Sequence, residues 1–152
     1  MNKLSIGSTL PDFTGIDQNG EELNASSFNG KRLVIYFYPK DNTPGCTAQA
    51  CSLRDDYSLL TGNNIAILGV SADSATSHKK FIDKFNLPFP LIADTEKVLL
   101  NAFGVWGEKK FMGKIYDGIH RTTFLFDETG TLISVIEKPN TKNHASEVLA
   151  IY

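Results

Sequence analysis

The sequence has little of several features that mark whole classes of protein. Its 17 acidic residues nearly balance 15 basic ones, and the net charge of −2 leaves no basic footprint for nucleic acid or an anionic membrane. No apolar stretch approaches the length of a membrane span, and residues 1–8 contain no apolar core of signal-peptide length. We therefore expect no nucleic-acid or membrane partner, and a cytoplasmic location with reduced thiols.

The chain also lacks the motifs that hold common cofactors and metals. Its 12 glycines form neither a Gly-x-Gly-x-x-Gly nor a Walker pattern, which argues against a nucleotide cofactor. His78, His120 and His144 are far apart, without Cys-x-x-Cys or His-x-x-His spacing, so we predict no metal site. Any catalysis must then rest on the only two cysteines, Cys46 and Cys51.

The remaining composition suits one globular domain. A chain of 152 residues, 41% of them hydrophobic, predicts a single domain over 1–152 with a substantial core. Apolar runs at 33–38 and 65–71 predict buried strands, and helical patterns follow them at 44–62 and 74–85. Strands alternating with helices predict an α/β sheet.

The flanking segments predict smaller elements. Two short strands around Asn19-Gly20 predict an N-terminal β-hairpin, followed by one helical turn near residue 26. Further along, the patterns predict a helix at 94–103, an irregular loop at 104–118, a strand hairpin at 120–136 and a closing helix at 143–151. The loop is rich in glycine, aromatic and basic residues, a composition that suits either a pocket wall or a core cover.

The first cysteine lies where a predicted buried strand gives way to a helix. The apolar run 33–38 stops at Pro39, and Thr43 is placed to cap a helix whose first residue is Pro44. Cys46 then falls in the first turn, where free backbone N–H groups and the positive end of the helix dipole favour a thiolate. A reactive cysteine is one interpretation, and a buried, inert cysteine is the other.

The second cysteine favours the reactive interpretation. Residues five apart on one helix, as Cys46 and Cys51 are, have Cα atoms about 8.6 Å apart. A disulfide tolerates a Cα separation of no more than about 7 Å. The two cysteines therefore cannot form a disulfide while the helix is intact, which is typical of a catalytic switch rather than a structural disulfide.

The residues around both cysteines resemble the active site of a known family. The stretch 36–51, YFYPKDNTPGCTAQAC, is similar to that of the peroxiredoxins, in particular the bacterioferritin comigratory protein or Q-type subfamily. The pattern Pro39-x-x-x-Thr43-x-x-Cys46 matches the family's peroxidatic motif. Cys51 stands in the place of the subfamily's resolving cysteine.

The resemblance extends over nearly the whole chain. Arg121, within the sequence HRTTF, matches the family's remote active-site arginine. Gln49 is a point of variation, because many relatives carry glutamate there. The resemblance implies a thioredoxin-like fold, a central mixed sheet flanked by helices, with the N-terminal β-hairpin as an extension.

The resemblance also implies a peroxidase that needs no cofactor. The Cys46 thiolate would attack a hydrogen peroxide or organic hydroperoxide and become a sulfenic acid, which Cys51 would resolve as an intramolecular disulfide. The backbone N–H of Cys46, the Thr43 hydroxyl and Arg121 would stabilise the leaving oxygen. Thioredoxin or a similar dithiol protein would supply the electrons, and a monomer would suffice because both cysteines lie in one chain.

Several neighbouring residues are expected to shape the pocket. In the family, Pro39 and Pro44 shield the thiolate, and Gly45 lies beside them in the motif. Trp106, in the predicted loop, is a further candidate for the apolar wall. Arg54 has two interpretations: it either assists the thiolate or forms an ion pair at the surface, where such pairs add little stability.

Two other functions remain open on the sequence alone. A thioredoxin-like disulfide oxidoreductase would use a pair of cysteines, but such enzymes carry Cys-x-x-Cys, whereas four residues separate Cys46 from Cys51. A non-enzymatic thiol sensor or interaction module would use the same sulfenate-to-disulfide change to exchange partners. Catalytic turnover of peroxide distinguishes the enzyme from both.

Overall fold

The computed structural model describes residues 3–152, whose backbone forms nine strands and five α-helices. A single-turn 3₁₀-helix at Ala25–Phe28 follows the first two strands. In chain order the elements are β1 (Thr14–Ile16), β2 (Glu22–Asn24), β3 (Arg32–Phe37), α1 (Pro44–Asp55), α2 (Tyr57–Gly62), β4 (Ile65–Ser71), α3 (Ala75–Phe85), β5 (Leu91–Ala93), α4 (Val98–Ala102), β6 (Trp106–Phe111), β7 (Lys114–Ile119), β8 (Thr122–Phe126), β9 (Leu132–Ile136) and α5 (His144–Ile151).

The centre of the molecule is a five-stranded mixed sheet in the order β5-β4-β3-β8-β9. Strand β3 pairs in parallel with β4 and antiparallel with β8, so it occupies the middle of the sheet. Strands β5 and β9 form the two edges, parallel to β4 and antiparallel to β8 respectively. The predicted α/β sheet is confirmed, as is the N-terminal hairpin, in which β1 pairs antiparallel with β2.

Strand β3 is buried on both faces because its side chains are apolar at every position after Arg32. Val34 and Tyr36 face a core cluster that includes residues of α1, α2, α3 and α5. Leu33 and Ile35 face the opposite cluster, which includes residues of α4. Burying each of these large side chains contributes about 1.5–3 kcal/mol, so both layers are fixed to the central strand.

The helix predicted over 44–62 is interrupted, and the single-helix prediction is wrong there. Helix α1 ends at Asp55, and Asp56 (φ −104°, ψ 18°) separates it from α2. Aspartate competes for backbone hydrogen bonds and favours helix ends over helix interiors. The interruption lies after both cysteines, so the predicted common helix for Cys46 and Cys51 is unaffected.

The helix predicted over 94–103 is shorter than expected. Lys97 adopts a left-handed conformation (φ 61°), and α4 begins only at Val98. Asp94 does not start the helix; its buried Oδ2 instead accepts a hydrogen bond from Leu100 N at 2.8 Å. The carboxylate satisfies a free N–H of the first turn from outside the helix.

The irregular loop predicted over 104–118 is wrong, because this segment forms a hairpin of β6 and β7. Its turn residues, Met112 (φ 51°) and Gly113 (φ 78°), both have positive φ, as a two-residue hairpin turn of the primed type requires. Methionine rarely adopts that conformation, so the turn carried no sequence signal. None of the helices over residues 3–152 has the length and apolar character needed to cross a bilayer.

Candidate active site

The start of α1 is positioned by the loop that leaves the central strand. Asn42 has a positive φ of 58°, and Thr43 is the extended N-cap residue that precedes Pro44 at the first helical position. The predicted helix start is therefore confirmed. The Thr43 side chain does not cap the helix, because its hydroxyl donates to Lys40 O at 2.8 Å. That hydrogen bond closes the loop tightly before the helix.

Cys46 is the third residue of α1 and is 1% exposed. Its sulfur accepts a hydrogen bond from Arg121 Nη2 at 3.2 Å. The surrounding first turn has backbone N–H groups without acceptors inside the helix, and the positive end of the dipole lies there. A buried sulfur that meets a guanidinium and a helix N-terminus is suited to carry negative charge.

Arg121 lies just before β8 and reaches across to the helix that carries the cysteines. Its second terminal nitrogen, Nη1, donates to Gln49 Oε1 at 2.7 Å. Gln49 is fully buried, and within residues 3–152 no group pairs with its Nε2. A β-carbon at Gly45 would lie 3.3 Å from Arg121 Nη2, so glycine leaves the space that the guanidinium occupies.

A second cation, Lys109 on β6, lies on the same side of the site. Burial and the charge of Arg121 hold the pKa of Lys109 below its usual value, while the sulfur of Cys46 acts in the opposite direction. Its ammonium donates to Ile119 O at 2.8 Å. Lys109 and Arg121 line an open groove of about 330 Å³, together with His120 and other residues.

Cys51 lies on the same helix as Cys46 and is half-buried. Both thiols are free, and α1 runs without interruption from Pro44 to Asp55. The prediction that the reduced pair shares one intact helix is confirmed. Forming a disulfide would require this part of α1 to unwind, because the intact helix keeps the two Cα atoms too far apart.

The structure also places three other residues that the sequence analysis named. Pro39 is half-buried in the loop between β3 and Thr43. Arg54 pairs with Asp55 at 2.9 Å and donates to Phe85 O at 2.8 Å, so the surface ion-pair interpretation describes it. Trp106 packs against the core cluster on the face of the sheet opposite Cys46, beneath the Lys97 ammonium, and we leave it out of the proposed site.

The sequence alone assigned no role to two residues of the site. Gln49 was noted only as a departure from the family's glutamate, although its Oε1 accepts a hydrogen bond from Arg121. Lys109 lay in the segment predicted as an irregular loop, and only the hairpin pairing of Lys109 with Tyr116 orders its backbone. Alternation of apolar and polar residues along β6 would have indicated a strand, but most of its side chains are polar.

Comparisons with known proteins identify the family. Residues 6–135 match the model of the AhpC/TSA family. The chain is 46% identical over 149 residues to peroxiredoxin Bcp of Escherichia coli (98% of this chain, 96% of that protein). It is also 46% identical over 146 residues to peroxiredoxin Bcp of Bacillus subtilis (96% and 93%).

Solved structures similar to this one support the same family. A cysteine-to-serine mutant of PrxQ from Xylella fastidiosa superposes with a TM-score of 0.91 at 33% identity, covering 99% of this chain and 96% of that one. The bacterioferritin comigratory protein of Xanthomonas campestris, described for its alkyl peroxide reduction, gives a TM-score of 0.85 at 37% identity, with coverage of 91% and 88%. The predicted thioredoxin-like fold is confirmed. The chain therefore belongs to the AhpC/TSA family as a peroxiredoxin of the Bcp or Q type, a thiol-dependent peroxidase.

Proposed function

We propose that Cys46 is the peroxidatic cysteine and Cys51 the resolving cysteine of one domain over residues 1–152. The observation that carries this assignment is the hydrogen bond from Arg121 Nη2 to Cys46 Sγ at 3.2 Å, at the N-terminus of α1. Cys51 has no such partner among the described side-chain contacts of residues 3–152, and it is more exposed than Cys46. The buried, cation-bound sulfur is the better nucleophile.

The first step oxidises Cys46. Its thiolate attacks the terminal oxygen of a hydroperoxide, the O–O bond breaks, and water or an alcohol leaves after taking up a proton, so that Cys46 becomes a sulfenic acid. Arg121 and the backbone N–H of Cys46 would stabilise charge on the leaving oxygen. Because the Thr43 hydroxyl donates its proton to Lys40 O, the hydroxyl oxygen is free to accept a hydrogen bond from the peroxide.

The substrate would enter beside the small residues of the first turn. Pro44 and Gly45 precede Cys46 directly, and Pro39 lies at the base of the loop that carries them. We propose that these residues contact the substrate and keep water away from the thiolate. Hydrogen peroxide and organic hydroperoxides are the proposed substrates, in line with the alkyl peroxide reduction described for the Xanthomonas campestris relative.

The second step resolves the sulfenic acid. Once α1 unwinds between the two cysteines, the Cys51 thiolate attacks the Cys46 sulfur and the S–O bond breaks. The hydroxide that leaves takes up a proton to become water as the disulfide forms. The chain has only these two cysteines, so an external dithiol must reduce the disulfide again. We propose thioredoxin or a similar protein as that reductant, a cytoplasmic location, and a monomer as the working unit.

Steady-state and single-turnover assays test the assignment together. Reduced protein is mixed rapidly with hydrogen peroxide or tert-butyl hydroperoxide, with and without thioredoxin, thioredoxin reductase and NADPH. With the reducing system we expect the wild type to turn over peroxide continuously and Cys46→Ser to show no turnover. Without the reducing system the wild type should consume one equivalent of peroxide. Peroxidase activity retained by Cys46→Ser would overturn the assignment, and a disulfide that thioredoxin does not reduce would reject the proposed partner.

A further inference from the structure

A buried polar network lies beside the active-site loop and takes no part in the proposed chemistry. Asp41, in that loop, accepts a hydrogen bond from the Tyr38 hydroxyl at Oδ1 (2.6 Å) and from the Ser77 hydroxyl at Oδ2 (2.7 Å). The same Oδ2 lies 2.7 Å from Nδ1 of His78 on α3. Asp41 is 8% exposed and His78 is 0% exposed, so this contact is shielded from water.

The hydrogen-bond partners determine where the protons lie. His78 Nε2 is 2.8 Å from the carbonyl oxygen of Ile92, which can only accept, so Nε2 carries a proton. His78 Nδ1 faces a carboxylate oxygen of Asp41, and a second proton must lie between them. The contact is a 2.7 Å hydrogen bond whichever of the two atoms carries that proton.

Asp41 has the environment of an ionised group. Burial alone would raise the pKa of Asp41, but hydrogen bonding and charge from His78, together with the Tyr38 and Ser77 hydroxyls, hold it below its usual value. The contact is a buried hydrogen bond, and both carboxylate oxygens of Asp41 and both ring nitrogens of His78 have partners at 2.6–2.8 Å.

The network extends to the backbone that precedes Cys46. Asp41 N donates to Asp73 Oδ2 at 2.9 Å, and that oxygen also accepts from the Ser71 hydroxyl at 2.7 Å. The next residue, Asn42, accepts a hydrogen bond from the Lys84 ammonium of α3 at 3.3 Å. Residues 41 and 42 are thus tied to α3 and to the end of β4, immediately before the N-cap residue of α1.

We propose that the buried Asp41–His78 pair is a positioning element for the peroxidatic cysteine: it fixes the loop that starts α1 and so favours the wound, peroxide-reactive helix over the unwound, disulfide-forming one. The inference rests on the proposed roles of Cys46 and Cys51. Neither Asp41 nor His78 touches the sulfur in this arrangement. They act through residues 41–43 on the first turn of the helix.

The Asp41–His78 pair is expected to speed the oxidation of Cys46 and to slow the resolution of its sulfenic acid by Cys51. Loosening the loop would lower the population in which Arg121 meets Cys46, and peroxide would react more slowly. The same change would expose the sulfenic acid to Cys51 sooner, so less of it would meet a second peroxide. A looser loop therefore gives slower oxidation and a smaller over-oxidised fraction.

Two substitutions at one position separate charge from hydrogen bonding. In Asp41→Asn the amide oxygen can accept from Tyr38 and the amide nitrogen can donate to His78 Nδ1, so the hydrogen bonds survive without the carboxylate charge. Asp41→Ala removes the carboxylate and leaves His78 Nδ1 with only the Tyr38 hydroxyl, at 3.4 Å. Asp94→Ala is the matched control, because it deletes another buried carboxylate, one that holds Leu100 N near α4.

The first measurement is ¹⁵N NMR of the imidazole rings in reduced protein at pH 7. We expect Nε2 of His78 to be protonated in the wild type and in Asp41→Ala, and a proton in the Nδ1–Asp41 hydrogen bond of the wild type alone. A wild-type protein without a proton in that hydrogen bond would overturn the Asp41–His78 pair. This signature reports the proton directly, and a general loss of stability would not produce it.

The second measurement is amide hydrogen exchange on the same reduced proteins, before any peroxide is added. For Asp41→Ala we expect residues 45–51 to exchange faster by about tenfold, with β3 unchanged, since breaking a buried pair strongly destabilises its surroundings. Asp94→Ala should leave residues 45–51 at the wild-type rate. An Asp41→Ala protein with wild-type exchange there, or with equal acceleration throughout the sheet, would overturn the proposal.

The third measurement follows Cys46 after peroxide. Mass spectrometry should show less sulfinic acid in Asp41→Ala than in wild type or Asp41→Asn, and stopped-flow should show slower oxidation. Unchanged partitioning despite faster exchange would overturn the link to catalysis. Tyr38→Phe, which removes one donor to Asp41 and keeps the ring, provides a milder variant if Asp41→Ala does not fold. If Cys46→Ser kept activity, the proposed function would fail while the NMR and exchange results stood.

Discussion

At the scale of single residues, Arg121 combines two tasks in one side chain. One terminal nitrogen of its guanidinium donates to the sulfur of Cys46, and the other donates to Gln49. A planar guanidinium with two fixed partners has little freedom to rotate away from the sulfur. The charge therefore stays aimed at the place where negative charge develops in the reaction.

Replacing this arginine tests its role directly. We expect Arg121→Ala to keep the fold and slow peroxide reduction by about a hundredfold or more, because it removes a donor aimed at the transition state. Rapid-mixing kinetics measure the rate, and circular dichroism confirms the fold. Thr43→Val should also be slow, since valine offers the peroxide no oxygen. Oxidation of Arg121→Ala at the native rate would make the arginine structural.

Gln49 is predicted to act only through Arg121. Gln49→Leu removes the acceptor at Oε1 and leaves one nitrogen of the half-buried Arg121 guanidinium without that partner, so we expect oxidation of Cys46 to slow by about tenfold. Gln49→Glu is the matched control, because a carboxylate keeps the acceptor in place. The comparison of the two variants in the same stopped-flow assay isolates the hydrogen bond from side-chain volume. Equal rates for Gln49→Leu and wild type would show that Arg121 is held by other groups.

At the scale of secondary-structure elements, α1 is the part of the fold that must change during the cycle. Its hydrogen bonds hold Cys46 and Cys51 apart, whereas the disulfide brings them together. Oxidised protein should therefore lose at least the turn between the cysteines, and residues 43–51 should exchange amide hydrogens faster than in reduced protein. Strand β3 should stay protected, because it lies in the middle of the sheet.

Blocking resolution should stop the cycle before this change. Cys51→Ser should consume one equivalent of peroxide and stall with a sulfenic acid on Cys46, open to a dimedone-type trap and to over-oxidation. Mass spectrometry of the trapped protein identifies the modified residue. A sulfenate on Cys51 in the Cys46→Ser variant, formed at the wild-type rate, would show that the two roles are reversed.

The closing helix α5 carries a pH-sensitive residue near its N-terminus. Burial lowers the pKa of His144, opposed by the hydrogen bond and charge of Glu147, and the Arg121 charge adds to the lowering. His144 Nδ1 faces Glu147 Oε1 at 3.0 Å, and Nε2 lies 2.9 Å from the Thr123 hydroxyl. A neutral ring can donate to the first and accept from the second.

The lowered pKa has a defined sign for stability. The unfolded chain binds a proton at His144 more readily than the folded protein, so the free energy of unfolding falls as pH drops below about 6.5, by at most about 1.4 kcal/mol per unit. Denaturant unfolding at pH 7.5 and 5.5 should show a smaller loss for His144→Gln than for wild type. An equal loss in both proteins would assign the pH dependence to other groups.

The elements also show where sequence patterns were sufficient. Strands β3 and β4 were predicted from long apolar runs and helix α3 from a helical pattern over residues 74–85, which are local signals. In the structure Ser74 caps that helix and the left-handed Asn86 ends it. The β6–β7 hairpin was missed because its turn is Met112-Gly113 and its strands are mostly exposed. Local patterns carry no information on a turn whose residues seldom adopt the required backbone conformation.

At the scale of the whole molecule, the site depends on contacts between distant parts of the chain. Cys46 and Arg121 are 75 residues apart, and Asp41 and His78 are 37 residues apart. Spacing alone does not reveal such pairs. The first was predicted only because the residues resemble a known family, and the second followed only from the three-dimensional arrangement of α3 beside the active-site loop.

The location of both cysteines on one helix has a consequence for the molecule as a whole. Because Cys51 is reached by unwinding α1 and not by meeting a second chain, resolution should be a first-order process. We expect the disulfide to form at the same rate across about a hundredfold range of protein concentration, since the second cysteine is already held at a high effective concentration. Quenched-flow alkylation followed by non-reducing mass spectrometry measures that rate. A rate or a yield of linked chains that grows with concentration would instead place the resolving step between two molecules, and the monomer would not be the working unit.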